Sequence, residues 1–275
     1  MTDRLQGRVA LVTGAGSELG LGRTIALRFA REGADVAVTD LNDNTTHDWR
    51  GLPAVVDEIE AMSRNALSVT GSVADAAQVG QMVSATLDRF GQIDILVNNA
   101  GAPAGPDRVP VVELDEETFD LVQSVNVKGT FLMSRAVARH MLERGGGGRI
   151  INMSSLSGRR GKPRYAAYCA SKFAIIGFTQ SLAGELGPHG ITVNAVCPAL
   201  IDNDRVTDMA SGLRPDGVSV EEYREQIIRH VSSTNPLGRV GTPEDVATTA
   251  AWLASDDAGY VTGQAINVTG GDELK

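Results

Sequence analysis

Tyr168 and Lys172 are the residues whose types and spacing most directly suggest chemistry. Four residues are about one helical turn, so the phenol and the ammonium would stand on one face of a helix. A free tyrosine has a pKa of about 10, and bringing it near 7 requires roughly 4 kcal/mol of preferential stabilisation of the phenolate. A neighbouring ammonium acts in that direction. The pair alone is a weak motif, but it could move one proton to or from an oxygen atom.

Ser155 and Asn126 could assist that proton transfer. Ser155 follows the apolar run Ile150–Met153, and a hydroxyl at the end of a parallel strand can point into the crevice outside the sheet. It could help to hold a carbonyl or carbinol oxygen. Asn126 lies inside the amphipathic segment Glu116–Leu142, where asparagine is a poor helix former and needs a local reason. Two interpretations stay open: Asn126 breaks the helix to bind a water, or it bonds a core backbone carbonyl.

The glycine-rich segment Thr13–Gly22 follows an apolar run and precedes the predicted helix Arg23–Glu32. Glycine lets the backbone turn tightly and approach a diphosphate, whose charge then meets the N–H groups of the following helix. Eighteen residues past Gly22, Asp40 ends the next apolar run, where a carboxylate can accept both ribose hydroxyls and repel a 2′-phosphate. The alternative for Asp40 is an ordinary strand-end turn.

Short apolar runs alternate with helix-length amphipathic segments, which is typical of βαβ units and a parallel sheet. The pattern predicts one large α/β domain over residues 1–275, with Asn42–Leu52 as an insertion on its rim. Asp75 and Thr242 read as helix N-caps. Seven strands are predicted, near Val9–Val12, Asp35–Thr39, Ala66–Val69, Ile93–Val97, Ile150–Met153, Thr192–Val196 and Ala265–Val268.

Composition excludes several classes of function. The 275 residues carry a net charge of −9, which argues against nucleic acid or an anionic membrane as partner. Cys169 and Cys197 lack a Cys-x-x-Cys pattern and read as reduced thiols of a cytoplasmic protein. The chain has no apolar window of eighteen residues, so neither a signal peptide nor a membrane span is expected. No metal site is expected, because the histidines lack ligand spacing; they are His47, His140, His189 and His230.

The segment Asn98–Gly101 ends the fourth predicted strand with two amides and a glycine. The amides can close the turn or touch a nucleotide edge. Together with Asn194–Pro198 and the residues above, in this order and spacing, the chain resembles the short-chain dehydrogenase/reductase family over nearly its whole length. The resemblance implies a doubly wound, Rossmann-type sheet of seven parallel strands in the order 3-2-1-4-5-6-7.

The resemblance also implies roles. Tyr168 would be the acid/base on the reacting oxygen, Ser155 would position that oxygen, and Asn126 would hold a water that relays the proton. Lys172 would lower the tyrosine pKa and bind the nicotinamide ribose. A homotetramer would form through the long helices around Asn126 and Tyr168, and Gly263–Val268 would be the last strand, at a subunit contact. The implied NAD-binding residues are Gly14, Gly16, Ser17, Gly20, Leu21, Gly22, Asp40, Leu41, Ser72, Val73, Asn99, Ala100, Gly101, Tyr168, Lys172, Pro198, Ile201 and Asn203.

The chain departs from the family pattern at several cofactor positions. The glycine turn is two residues longer, with Glu18–Leu19 as the insert. Ser72 stands where an aspartate usually contacts adenine, Ala199 replaces the usual glycine, and Asn203 replaces a threonine that bonds the carboxamide. Ser72 and Asn203 can still form hydrogen bonds, so we expect altered contacts rather than lost binding.

The combined prediction is an NAD-dependent oxidoreductase that interconverts a secondary alcohol and a ketone. NAD is expected rather than NADP, because Asp40 would sit at the ribose and Ser17–Leu19 offers no cation for a 2′-phosphate. The first alternative is a reductase of 3-oxoacyl thioesters on coenzyme A or a carrier protein. Two further rivals are a non-catalytic nucleotide sensor on the same fold and an epimerase or lyase that uses NAD only transiently.

Two segments are expected to shape the substrate site. Residues 200–236 are charged and broken by glycine, which suggests a mobile lid. Leu156–Arg164 contains four cations and no anion, at what the resemblance makes the mouth of the site. These cations would attract a carboxylate or phosphate on the substrate. The alternative is that they face solvent or pair with acids of a neighbouring subunit.

Overall fold

Seven parallel strands form one sheet in the order β3-β2-β1-β4-β5-β6-β7 in a computed structural model that describes residues 3–43, 45 and 48–273. The strand order and the strand positions predicted from the sequence are confirmed. The fourth strand begins two residues later than predicted, and the others agree to within two residues. The strands are β1 Val9–Thr13, β2 Asp35–Asp40, β3 Ala66–Thr70, β4 Ile95–Asn98, β5 Gly148–Met153, β6 Ile191–Pro198 and β7 Ala265–Val268.

Helices cover both faces of the sheet. They are α1 Leu21–Arg31, α2 Leu52–Glu60, α3 Ala76–Phe90, α4 Glu116–Gln123, α5 Gly129–Arg144, α6 Ala166–Leu186, α7 Asp204–Leu213, α8 Val220–Thr234 and α9 Pro243–Ala254. One apolar core joins the sheet to α1, α2 and α9, and a second joins it to α3, α5 and α6. The central strands read as continuous apolar runs because both of their faces are buried.

The helix ends follow the predicted capping signals. The Asp75 carboxylate accepts hydrogen bonds from two amides at the start of α3. Thr242 and Asp245 form a reciprocal capping box at the start of α9. Both caps are confirmed.

The segment predicted as one helix over Glu116–Leu142 is interrupted by a π-helical turn, Ser124–Lys128. Asn126 lies in this turn and is buried. Its Oδ1 accepts a hydrogen bond from the Ala102 amide at 2.8 Å, and its Nδ2 donates one to the Ser171 hydroxyl at 2.9 Å. A π turn adds one residue to a helical turn, and here that residue ties the loop after β4 to α6. The side-chain oxygen of Asn126 therefore accepts a hydrogen bond from a backbone amide. The second interpretation expected a hydrogen bond with a core backbone carbonyl instead.

The structure describes the two predicted surface segments to different extents. The connection Asn42–Leu52 runs between β2 and α2, but its residues 44, 46 and 47, and with them His47, lie outside the described residues. Residues 200–236 fold largely into α7 and α8, which lie beyond the carboxyl end of β6. In the part of the chain that the structure describes, helices long and apolar enough to cross a membrane are absent.

Candidate active site

A cavity of about 600 Å³, the glycine-turn cavity, opens at the carboxyl ends of β1, β2 and β4. Strand order reverses on either side of β1, and such switch points are where parallel sheets bind ligands. Twelve of the predicted cofactor residues line it: Gly14, Ser17, Gly20, Leu21, Asp40, Leu41, Ser72, Val73, Asn99, Ala100, Gly101 and Asn203. Gly16 and Gly22 are outside its lining. The Gly16 amide donates a hydrogen bond to Asp40, and Gly22 packs against the Gly14 carbonyl.

The glycines of the turn are required by close packing. A Cβ on Gly22 would lie 2.2 Å from the Gly14 carbonyl oxygen. Gly14 has φ of 68°, and a Cβ there would lie 2.7 Å from the Cα of Ala100. Only glycine allows the turn to pack this closely against α1 and the end of β4.

Asp40 is fixed at the end of β2 by two backbone amides. Its Oδ2 accepts a hydrogen bond from Gly16 at 2.9 Å, and its Oδ1 accepts one from Leu41 at 2.7 Å. Each carboxylate oxygen keeps acceptor capacity, because an ionised carboxylate has about four acceptor sites. Since Asp40 also lines the glycine-turn cavity, it can accept further hydrogen bonds from a ligand there.

A carboxylate of the protein itself meets the glycine turn. Asp204, the first residue of α7, accepts hydrogen bonds from the Ser17 hydroxyl and, at 3.4 Å, from the Leu19 amide. The turn therefore presents two hydrogen-bond donors to an anionic oxygen, here the carboxylate of Asp204. The insert Glu18–Leu19 supplies one of these donors. Close glycine packing, the oriented Asp40 and the anion-binding turn together fit a nucleotide cofactor.

The two amides after β4 have structural roles. The Asn99 side chain donates hydrogen bonds to the carbonyls of Thr13 and Gly14, both at 2.9 Å. The Asn98 side chain donates to the Ser134 hydroxyl and the Asn152 amide oxygen inside the core. Of the two sequence interpretations, the Asn99 side chain follows the first, because it closes the turn, whereas the Asn98 side chain bonds within the core. Asn99 and Ala100 nevertheless line the glycine-turn cavity.

A second cavity of about 490 Å³, the tyrosine cavity, adjoins the first. The predicted catalytic and cofactor residues in its lining are Leu21, Asn99, Ser155, Tyr168, Lys172, Pro198, Ile201 and Asn203. Both cavities are lined by Leu21, Asn99, Asn203 and Arg205, so they are direct neighbours that share a wall. Asn126 lines neither cavity.

Tyr168 lies among groups that stabilise its phenolate. Burial alone raises the pKa of Tyr168, but the charges of Lys172 and Arg205, the hydrogen bond with Ser155 and the charge of Arg108 together lower it below its ordinary value. The Lys172 ammonium lies 5.5 Å from the centre of the tyrosine ring and donates a hydrogen bond to the Met153 carbonyl at 2.7 Å. Lys172 itself is buried, and burial, partly offset by Tyr168, lowers its pKa.

The sequence analysis missed two arginines in this site. The guanidinium carbon of Arg108 lies 4.5 Å from the centre of the Tyr168 ring, and that of Arg205 lies 5.4 Å from it. Arg108 comes from the long loop between β4 and α4, which has no periodicity or motif to mark it. Arg205 follows the predicted cofactor residue Asn203 by two positions. This short separation was the sequence feature that could have indicated a place for Arg205 in the site.

The basic segment Leu156–Arg164 is only partly directed at the tyrosine cavity. Arg160 pairs with Asp272 at 3.1 Å and with Glu273 at 3.9 Å. The Lys162 ammonium lies 4.4 Å from the centre of the Tyr165 ring, and Arg164 donates a hydrogen bond to the Arg108 carbonyl. Arg160 and Lys162 line the cavity, whereas Arg164 supports the loop that carries Arg108.

Comparisons with known proteins agree with this geometry. The model of a family described as "Enoyl-(Acyl carrier protein) reductase" matches residues 14–272. The sorbitol dehydrogenase of Cereibacter sphaeroides is 40% identical over 275 residues, covering 98% of each chain. The 3-oxoacyl-[acyl-carrier-protein] reductase FabG of Staphylococcus aureus is 41% identical over 262 residues, covering 95% of this chain and 96% of FabG. A solved structure of NAD⁺-bound xylitol dehydrogenase superimposes with a TM-score of 0.83 at 31% identity, covering 96% of this chain and 98% of that one.

The chain belongs to the short-chain dehydrogenase/reductase family. It is an oxidoreductase that interconverts an alcohol and a ketone and that binds a nucleotide cofactor.

Proposed function

We propose that the protein is an NAD-dependent dehydrogenase of secondary alcohols, with Tyr168 as the acid/base. The observation that supports the proposal is that the two cavities adjoin and share four lining residues. A tyrosine with a lowered pKa lines one of them, and an oriented aspartate and a glycine turn line the other. This neighbourhood supports a site in which a proton transfer at Tyr168 occurs next to a bound nucleotide.

The glycine turn and Asp40 would hold NAD, which would supply the acceptor for the hydride of the carbinol carbon. The Tyr168 phenolate accepts the hydroxyl proton, so that the alcohol becomes a ketone. Ser155 forms a hydrogen bond with Tyr168 and holds the same substrate oxygen. Lys172 stabilises the phenolate electrostatically and binds the nicotinamide ribose.

Asn126 completes the proposed catalytic set in a less direct way. The side-chain oxygen of Asn126 accepts a hydrogen bond from the Ala102 amide and so fixes the loop after β4. The main-chain carbonyl of Asn126 accepts a hydrogen bond from the Thr130 hydroxyl. Each of these oxygens has a second lone pair that can hold a water. We propose that the proton-relay water binds to one of these two Asn126 oxygens.

Asp40 supports NAD rather than NADP. A ribose with two free hydroxyls can donate to its carboxylate, whereas a 2′-phosphate would place two negative charges together. Arg23 is the nearest cation in sequence to the glycine turn, and it is held by Glu58 at 2.8 Å and by the Glu18 carbonyl. The remaining proposals follow the family: one catalytic domain over residues 1–275, a substrate lid at 200–236, a homotetramer and a cytoplasmic location.

The substrate class has two candidates. Relatives named sorbitol dehydrogenase and galactitol 2-dehydrogenase, each 40% identical, favour a polyol or a similar small alcohol. A 3-oxoacyl thioester is the second candidate, favoured by the similarity to FabG and by the cations of the tyrosine cavity. Within either class, the cations that line the tyrosine cavity favour a member that carries a carboxylate or a phosphate.

The test is a panel of secondary alcohols with NAD, followed by the absorbance of NADH. We expect net NADH formation with at least one alcohol and reduction of the matching ketone by NADH. A non-catalytic sensor would bind NAD without turnover. An epimerase or lyase would convert its substrate without net NADH, and either result would overturn the proposal.

A further inference from the structure

The charged side chains that line the tyrosine cavity are mainly basic, in a chain of net charge −9. Its lining contains one carboxylate, Asp272, which is paired with Arg160. The cations in the lining are Arg108, Arg160, Lys162, Lys172 and Arg205. Cations around a cleft raise the local concentration of an anionic ligand.

Arg108 is the cation that is built most firmly into this cavity. Its residue surface is 2% exposed, and its guanidinium carbon lies 4.1 Å from the centre of the Tyr165 ring and 4.5 Å from that of Tyr168. Arg164 donates a hydrogen bond to its carbonyl. Two aromatic rings and a supported backbone therefore hold the guanidinium next to the proposed acid/base.

The buried Nε of Arg108 has no hydrogen-bond partner in the described residues. The guanidinium is anchored through Nη1 to Asp107, which does not line the cavity. A buried donor without a partner is costly, and natural proteins rarely leave one unless a ligand or water satisfies it. Arg205 also has a buried Nε without a partner and donates its Nη2 to the Ala102 carbonyl at 2.6 Å.

We propose that Arg108 determines substrate specificity by binding the carboxylate of a short hydroxy acid or oxo acid whose alcohol or ketone carbon reacts at Tyr168. The inference rests on the proposed function, because it places the carboxylate next to the group that handles the substrate hydroxyl. A guanidinium edge matches a planar carboxylate and forms charge-assisted hydrogen bonds with it. The single charge of a carboxylate also suits an arginine whose own charge is partly balanced by Asp107.

The experiment compares acids with neutral alcohols of the same carbon skeleton. The pairs are 3-hydroxybutanoate with 1,3-butanediol, lactate with 1,2-propanediol, and gluconate with sorbitol; sn-glycerol 3-phosphate tests a phosphate instead. The measured quantity is kcat/KM for NADH formation. We expect the wild type to prefer the acid in at least one pair by about tenfold or more.

Arg108→Gln should lower kcat/KM for both members of the pair, because the Arg108 charge helps to stabilise the Tyr168 phenolate. The loss for the acid should exceed the loss for its neutral partner by about tenfold or more, because only the acid also loses the carboxylate contact. Arg89→Gln, which removes an exposed arginine of α3 outside both cavities, is the matched control and should change neither. Arg108→Gln leaves the buried Asp107 carboxylate unpaired, which could itself disturb the site. The double variant Asp107→Asn with Arg108→Gln removes that unpaired charge, and it should still lose more activity with the acid than with its neutral partner.

Equal losses for acid and neutral partner, turnover of the neutral alcohols alone, or preference for the phosphate would overturn the inference and leave the proposed function standing. Absence of NAD-linked turnover with every compound would overturn both.

Discussion

The glycine-turn cavity and the tyrosine cavity lie side by side at one edge of the sheet, but different parts of the chain define them. The first is shaped by backbone: the glycines of the turn, the amides that orient Asp40, and the loop closed by Asn99. The second is shaped by charged side chains around Tyr168, contributed by separate loops and helices. A backbone-defined site tolerates few changes at its glycines, whereas a site defined by side chains can acquire a new substrate through single substitutions.

Replacement of Tyr168 by phenylalanine should distinguish the roles of the two cavities most clearly, because it should affect turnover but not nucleotide binding. The variant loses the proton-bearing oxygen and keeps the ring, so turnover should fall by about 10²- to 10⁴-fold. NADH affinity, measured by fluorescence titration, should stay within about threefold, because the contacts that bind the nucleotide lie mainly in the glycine-turn cavity. Retention of about a tenth or more of wild-type turnover would show that Tyr168 is not the acid/base.

Asp40 tests the cofactor preference of the glycine-turn cavity. The wild type should prefer NAD over NADP by roughly a hundredfold in kcat/KM, because the fixed carboxylate repels a 2′-phosphate. Asp40→Ser should reduce that ratio to below about tenfold while kcat with NAD at saturation changes little. The assignment of Asp40 fails if the wild type uses both cofactors equally.

Gly22 tests whether packing, rather than charge, defines the same cavity. Gly22→Ala would force a Cβ against the Gly14 carbonyl, and we expect NADH affinity to fall by about tenfold to a hundredfold as the turn shifts. Gly80→Ala on α3 is the matched control, because a Cβ there meets open space and alanine favours a helix. If both variants bind NADH like the wild type, the turn does not need its close packing.

The cations of the tyrosine cavity should set the pH dependence of turnover. Alcohol oxidation needs the phenolate, so kcat/KM should rise with pH and level off above the lowered pKa of Tyr168. Removing the positive charge in Arg205→Gln destabilises the phenolate, raises the tyrosine pKa and moves the midpoint to higher pH. The control Arg89→Gln should leave the midpoint in place, and a shift to lower pH in the Arg205 variant would contradict the assignment.

The sequence predicted the strand positions, the glycine turn and the closeness of Tyr168 and Lys172 well, because each rests on local spacing. The sheet order, in contrast, came from the family resemblance. Apolar runs fix the strands, and one helical turn brings Tyr168 and Lys172 together. Arg108 could not be predicted, because its place beside Tyr168 depends on how the loop between β4 and α4 folds over α6. The basic segment was a partial guide, since Arg160 proved to pair with Asp272, which lies 112 residues further along the chain.

Trp49 gives the protein an optical signal at its nucleotide site. Its indole N–H donates a hydrogen bond to the Gly16 carbonyl at 2.7 Å, and the Arg23 guanidinium lies 5.1 Å from its ring. The chain has two tryptophans, and the other, Trp252 on α9, packs against the core. Because Gly16 belongs to the turn that would receive the diphosphate, nucleotide binding should alter the emission of Trp49. The part of that change that disappears in Trp49→Phe would report the movement of the glycine turn in real time, without any added dye.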